Sequence, residues 1–245
     1  MQKFDKERYL AAWRTEAAAF RAVVAEADPA QPVPSCPEWT IGDLLGHTNR
    51  VTLNYVTSAG RPTPPEADTL PEAAGEPLAA FDSACAALDA TLTGLSLDAK
   101  AWNPAPVPKN SRFWFRRAMC EIAVHRWDAQ MAIGSPEPVA VPVAVEGVQE
   151  ILDSFLPAGY HREVSPDTLG VVMLHAVDAA QKWCVRLRGE KVAVLDSEGD
   201  DLTSPPDVQV SGAASDLNLA LWGRVPFDVM DVTGDAELLD SVRLH

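Results

Sequence analysis

Four stretches in the first half of the chain carry apolar residues at helical spacing. In the first of them Trp13, Phe20 and Val24 fall on one face, and this 3.6-residue period predicts an amphipathic helix. The other three stretches repeat the period, with cap-type residues such as Thr40 before the second and Gly134 after the fourth. We therefore predict helices over residues 5–27, 40–58, 76–95 and 111–133.

The hydrophobic period changes in the last third of the chain. A fifth helical pattern covers residues 143–156, but after about residue 161 the apolar positions alternate, as in Trp183, Val185 and Leu187. Alternation is typical of half-buried strands. It predicts strands over 171–177, 183–187, 192–195, 208–210 and 229–232, with helices over 215–222 and from 235 onwards.

This order of elements predicts the fold class α + (α+β). Helices come first and strands follow, which favours two separate units over an interleaved α/β sheet. We expect a four-helix bundle over residues 1–162 and a small C-terminal α+β domain over residues 163–245. The proline-rich segments 61–77 and 103–108 interrupt the bundle and are predicted to be irregular.

Composition and charge exclude several classes of partner. The 245 residues carry a net charge of −15 with a pI near 4.6, so we expect neither a nucleic-acid partner nor binding to anionic membranes. No signal peptide and no apolar run of about 18 residues are visible. The four cysteines lie far apart without a C-x-x-C pair, which predicts reduced thiols and a cytoplasmic protein.

Two histidines and a glutamate suggest a metal site. Glu121 and His125 are four residues apart in a predicted helix, so their side chains share a face. His47 lies on the apolar stripe of another helix, where a neutral ring with an unpaired nitrogen is costly. This set matches a His₂Glu zinc site with an open position. The alternatives are a helix ion pair with a hydrogen-bonded core histidine, or Glu121 acting as a base.

Asp128 has two interpretations of equal weight. It lies three residues after His125 on the same face, where it would be either an acceptor behind the metal ligand or a base near the metal. Alternatively it pairs with Arg126 at the helix surface. Cys36 is expected to be structural and Cys120 to point away from the metal. Trp39, Trp114 and Trp127 are expected to be core or bundle-cap residues and not to line a substrate site.

Three segments occur in a characteristic order along the chain: C-P-E-W-T-I-G-D-L-L-G-H at 36–47, E-I-A-V-H-R-W-D at 121–128 and S-D-L-N-L-A-L-W-G-R at 215–224. The first resembles the C-P-x-W-T-x-x-D-L-x-x-H stretch of the mycothiol-dependent maleylpyruvate isomerase family, whose bundle is DinB-like. The second resembles the E-x-x-x-H-x-x-D helix of that family. The third is similar to the end of its C-terminal domain, which is related to sterol carrier proteins.

The resemblance implies a site and a chemistry. A divalent metal, commonly zinc, would be held by His47, Glu121 and His125, and mycothiol would be the thiol cosubstrate. The implied reaction is cis–trans isomerisation, or transfer of the thiol to an electrophilic small molecule. Arg224 would contact a substrate carboxylate. Thr48 departs from the apolar residue expected after the metal histidine. A metal-dependent hydrolase and a non-catalytic metal- or ligand-binding protein remain the alternatives.

Overall fold

Four long helices form the first part of the computed structural model, which describes residues 4–66, 75–159, 165, 167–189, 191–195 and 205–244. In this part α1 packs most extensively against α4, while α2 packs against both α3 and α4. Large apolar side chains fill the space between them, among them Phe20, Phe81, Leu88 and Phe115. The four predicted helices are confirmed, as α1 Lys6–Glu26, α2 Ile41–Ser58, α3 Pro77–Gly94 and α4 Arg112–Ala132.

The ends of these helices follow local sequence signals. Asp5 accepts a hydrogen bond from the backbone N–H of Arg8 at 2.9 Å and so caps α1. Thr40 and Asp43 form a reciprocal capping box at the start of α2. After α4, Gly134 adopts φ of 72°, a left-handed conformation that glycine reaches without steric cost. These caps position α2 and α4, the helices that carry the predicted ligands.

Loss of the α2 cap is expected to destabilise the protein modestly. Thr40→Ala removes the acceptor for the Asp43 N–H and should lower the free energy of unfolding by about 1 kcal/mol. Urea denaturation measures the change. The matched control is Thr15→Ala, since the Thr15 hydroxyl only donates to the Ala11 carbonyl on the exposed side of α1. Equal losses in both variants would show that the cap contributes nothing specific.

The second compact part contains a mixed five-stranded sheet. Its strands are β1 Leu169–Ala176, β2 Gln181–Arg188, β3 Lys191–Leu195, β4 Val208–Gly212 and β5 Asp231–Gly234, in the order β3-β2-β1-β4-β5. The pair β1–β4 is parallel and the other three pairs are antiparallel. The last predicted strand begins two residues late, because 227–229 form a 3-10 turn. The C-terminal helix is a 3-10 helix, Ala236–Val242.

The fifth helix belongs to this second part and not to the bundle. The second compact part begins at Pro138 and also includes Pro104–Pro106; the domain boundary near residue 162 stays a prediction. Helix α5 (Val141–Glu150) continues through a π-helical segment (Ile151–Phe155) into α6 (Leu156–Ala158). Residues 160–164 and 166, around that predicted boundary, lie outside the described residues.

Packing against α7 (Ala214–Leu221) explains the position of α5. Gly147 allows a close approach, since a Cβ built there would lie 2.4 Å from Oδ1 of Asn218. The hydroxyl of Ser215 accepts a hydrogen bond from the Val139 N–H at 2.9 Å. Such partners are distant in sequence, and the helical period of α5 does not reveal them. Among the described residues, no helix combines the length and apolar character needed to cross a membrane.

Candidate metal and active site

Three side chains of the metal-ligand type converge between α2 and α4. His47 lies on α2, and Glu121 and His125 lie one turn apart on α4. Oε1 of Glu121 is 3.1 Å from Nε2 of His47 and 3.2 Å from Nε2 of His125. One ligand atom from each residue lies within 4.8 Å of the others. The structure therefore brings together the three predicted ligands, and their binding of a metal stays a prediction.

The spacing of these atoms fits a four-coordinate metal ion. Zinc bonds to nitrogen and oxygen are about 2.0–2.2 Å long, which places neighbouring corners of a tetrahedron roughly 3.3 Å apart. The two contacts of Glu121 match that separation. The His125 side chain is 7% exposed whereas that of His47 is 25% exposed. The His47 side of the triad is therefore the side more exposed to solvent.

Asp128 holds the far side of His125. Its Oδ2 lies 2.9 Å from Nδ1 of His125, and its Oδ1 accepts a hydrogen bond from the Ser35 hydroxyl at 2.7 Å. The Cys36 thiol lies 3.8 Å from the same Oδ2. The carboxylate is fully buried. A carboxylate that accepts from Nδ1 leaves Nε2 of the ring directed at Glu121, which is the usual arrangement behind a metal-bound histidine.

Arg117 holds the other oxygen of Glu121. Its Nη2 donates to Oε2 of Glu121, and its Nε donates to the Tyr55 hydroxyl at 3.1 Å. The guanidinium is buried, with 6% of the side chain exposed. Arg117 was not among the residues predicted for the site, although its position four residues before Glu121 on the same helix is evident from the sequence. An i, i+4 pair is usually a surface feature, and only the structure shows that this one is buried at the triad.

The charges around the triad shift two pKa values. Burial raises the pKa of Glu121, but Arg117, His125 and His47 outweigh it and hold this pKa well below its ordinary value. Burial lowers the pKa of His125, yet the carboxylates of Glu121 and Asp128 outweigh it and raise this pKa to about 9. The same two carboxylates that retain a proton on the ring attract a metal cation by Coulomb's law.

Models of one protein family match both parts of the chain. Residues 10–130 match the mycothiol maleylpyruvate isomerase N-terminal domain, and residues 142–241 match the C-terminal domain of the same family. The chain belongs to the mycothiol maleylpyruvate isomerase family. The family resemblance seen in the three sequence segments is therefore confirmed. The prediction that the protein is an enzyme is confirmed as well, because the family is a family of enzymes.

Two crystal structures share the fold of this family member. One is of a histidine-to-alanine mutant of the mycothiol-dependent maleylpyruvate isomerase, with a TM-score of 0.63 at 14% identity. The other is of the mycothiol-dependent maleylpyruvate isomerase, with a TM-score of 0.60 at 15% identity. Each alignment covers 96% of this chain and 98% of the other. The likeness confirms a helical bundle followed by an α+β domain. No curated protein matches the chain in sequence.

The other residues named from the sequence lie at different places in the structure. Arg224 follows α7 in the second part, where its Nη1 donates to the Trp222 carbonyl at 2.9 Å, and its contact with a substrate stays a prediction. Cys120 is buried and is not one of the three ligand-type residues. Thr48 is also buried, and its hydroxyl donates to the Leu45 carbonyl at 3.0 Å.

Trp39 lies beside the two histidines of the triad. Its ring lies 4.8 Å from that of His47 and 6.2 Å from that of His125, measured between centroids, and the residue is only half-buried. It therefore forms a wall beside the two histidines at the more exposed side of the triad. By contrast Trp114 and Trp127 are buried, as expected.

Proposed function

We propose that this protein is a metal-dependent cis–trans isomerase that uses mycothiol as its thiol cosubstrate. Membership of the mycothiol maleylpyruvate isomerase family supports the thiol and the class of reaction. The observation that supports the metal is the His47–Glu121–His125 triad, in which Oε1 of Glu121 lies 3.1 Å from Nε2 of His47 and 3.2 Å from Nε2 of His125 and all three ligand atoms lie within 4.8 Å of one another. Maleylpyruvate is the first substrate to test, because members of the family act on it.

The residues of the triad suit activation of a thiol. A divalent ion bound there would offer an open position to sulfur and favour the thiolate near neutral pH. Asp128 fixes the ring of His125 through Nδ1, and Arg117 fixes Glu121 through Oε2. Trp39 shields the histidine rings on the more exposed side. These contacts would hold the three ligand residues in place and leave one coordination position of the metal for the thiol.

The proposed reaction conserves the thiol. Its thiolate adds to one alkene carbon, and the π electrons move to the conjugated carbonyl oxygen. The former double bond is then single and rotates. When the electrons return from oxygen, the C–S bond breaks and the thiolate leaves with the trans alkene. Transfer of the thiol to an electrophilic alkene would stop after the first step, with the enolate taking a proton from water, and would use the same residues.

Asp128 is assigned a positioning role in this proposal. Both of its oxygens are engaged, with His125 and with Ser35, and its side chain has no exposed surface. A base that takes a proton from substrate must reach that proton, which this arrangement does not favour. Arg224 is proposed to contact the carboxylate of an anionic substrate, as the family resemblance implies. The cytoplasm is the proposed location, since the thiol and the four free cysteines need a reducing compartment.

The test is a product assay with purified protein, maleylpyruvate and mycothiol, followed by NMR. We expect fumarylpyruvate only when both thiol and protein are present, loss of turnover after chelation, and recovery when zinc is returned. Glutathione and cysteine serve as control thiols.

Three results would change the assignment. Hydrolysis of an ester, amide or similar substrate without any thiol would favour the metal-dependent hydrolase. A stable thiol adduct of an electrophile would favour S-transfer over isomerisation. Absence of thiol-dependent chemistry across a panel of activated alkenes would favour a binding protein.

A further inference from the structure

A stripe of polar residues along α4 extends beyond the metal ligands. Arg117, Glu121, His125 and Asp128 occur at intervals of four, four and three residues, so all four lie on one face of the helix. On α2, His47 and Tyr55 are eight residues apart and also share a face. The two helices therefore meet twice in this region, through His47 with Glu121 and through Tyr55 with Arg117.

The two oxygens of Glu121 have different partners. Oε1 faces Nε2 of His47 and Nε2 of His125, at 3.1 and 3.2 Å. Oε2 accepts from Nη2 of Arg117. A carboxylate binds a metal through one oxygen or through both, and a second bound oxygen would fill the position that the thiol needs.

We propose that Arg117, itself held by Tyr55, is a positioning residue that keeps Glu121 a one-oxygen ligand and so keeps the fourth metal position open. This inference rests on the proposed function, because it assumes a metal at the triad. The planar guanidinium donates to Tyr55 through Nε and to Glu121 through Nη2, a fork that a lysine ammonium does not reproduce.

The burial of Arg117 indicates that its role is to position Glu121 and not to stabilise the fold. Removing a guanidinium from water is unfavourable, and the attraction within a buried ion pair often offsets only that cost. The arrangement instead restricts the rotation of Glu121 at both ends, since the backbone of α4 fixes one end and Arg117 the other. A role through charge alone would make a different prediction, because a nearby positive charge weakens the binding of a metal cation.

Arg117→Lys separates geometry from charge. It keeps the positive charge and loses the fork, and we expect metal affinity to fall by about 10- to 100-fold, the usual effect of losing a partner behind a ligand. Affinity is measured by competition with a chelator. The visible spectrum of the cobalt-substituted protein reports coordination number, because four-coordinate cobalt absorbs much more strongly than five-coordinate cobalt. We expect a strong band in the wild type and a weaker one in Arg117→Lys.

Tyr55→Phe is the second variant. It removes only the hydroxyl that accepts from Nε of Arg117 and keeps the ring that packs 5.6 Å from Trp114, so the fold should survive. We expect Tyr55→Phe to lower the metal affinity and to weaken the cobalt band, in both cases by less than Arg117→Lys does. Circular dichroism confirms that each variant is folded.

The possible results are distinct. The proposal would be overturned if Arg117→Lys had the same cobalt spectrum and the same metal affinity as the wild type. It would also be overturned if Arg117→Met bound metal more tightly without any change in the cobalt spectrum, because Arg117 would then act on the metal only through its positive charge. A wild type that binds no metal would instead refute the metal dependence of the proposed function. Since neither readout needs turnover, failure of the isomerase assay leaves this test intact.

Discussion

His47→Ala is expected to release the metal from the protein. The wild type, purified without added metal, should contain close to one zinc or similar divalent ion per chain, and the variant should contain almost none. The physical reason is that His47 alone brings a ligand from α2, while Glu121 and His125 share α4. Loss of one of three protein ligands should exceed the about 10- to 100-fold effect of losing an outer partner. Elemental mass spectrometry measures the metal content.

His175→Ala provides the control for this experiment. His175 lies on β1 in the second part of the molecule and is not one of the three ligand-type residues. Its replacement should leave the metal content unchanged, whereas thiol-dependent turnover should fall together with metal in His47→Ala. If the wild type held no metal even after titration, Glu121 and His125 would be an ion pair on α4, and the proposed metal dependence would be wrong.

Glu16→Ala should cause the largest loss of stability. Glu16 on α1 accepts from Nε of Arg126 on α4 at 2.6 Å, and the side chains of the two residues are 8% and 4% exposed. The guanidinium also donates to Gln130 and to the Glu137 carbonyl. Removal of Glu16 leaves a buried positive charge without this carboxylate, which typically costs about 3–5 kcal/mol. Urea unfolding measures the change in free energy.

Asp82→Ala is the matched comparison. Asp82 on α3 pairs with Arg21 on α1 at the same distance of 2.6 Å, but both side chains are more than 40% exposed. Water and salt screen such a pair, so its loss should cost less than about 1 kcal/mol. Similar costs for the two variants would show that burial does not control the strength of these ion pairs. Glu16→Gln, which preserves the size of the side chain, should fall between the two.

The bundle could be predicted because its signals are local. The apolar period of α1 to α4 is contained in each helix, and caps such as Asp5 and the Thr40–Asp43 box need only neighbouring residues. Steric and hydrogen-bonding preferences of adjacent residues decide where a helix begins. The mixed sheet was harder to predict, because alternation indicates a strand but does not reveal that β1 pairs in parallel with β4.

The placement of α5 shows a second limit of prediction. Its apolar stripe is equally compatible with a fifth helix on the bundle and with packing in the second part. The contact of Gly147 with Asn218 joins residues about 70 positions apart. Which distant element a helix packs against depends on the shapes of both packing surfaces, and the spacing of apolar residues along one helix does not determine those shapes.

The candidate ligands could be predicted from the sequence, whereas their environment could not. Glu121 and His125 share a helix face by spacing alone, and His47 stood out because it lies on the apolar stripe of a second predicted helix. Only the tertiary structure shows that Arg117 takes the second oxygen of Glu121 and that Asp128 lies behind His125. A charged residue on a helix looks the same in sequence whether it is solvated or buried, and burial, which arises from the packing of distant helices, decides what its charge does.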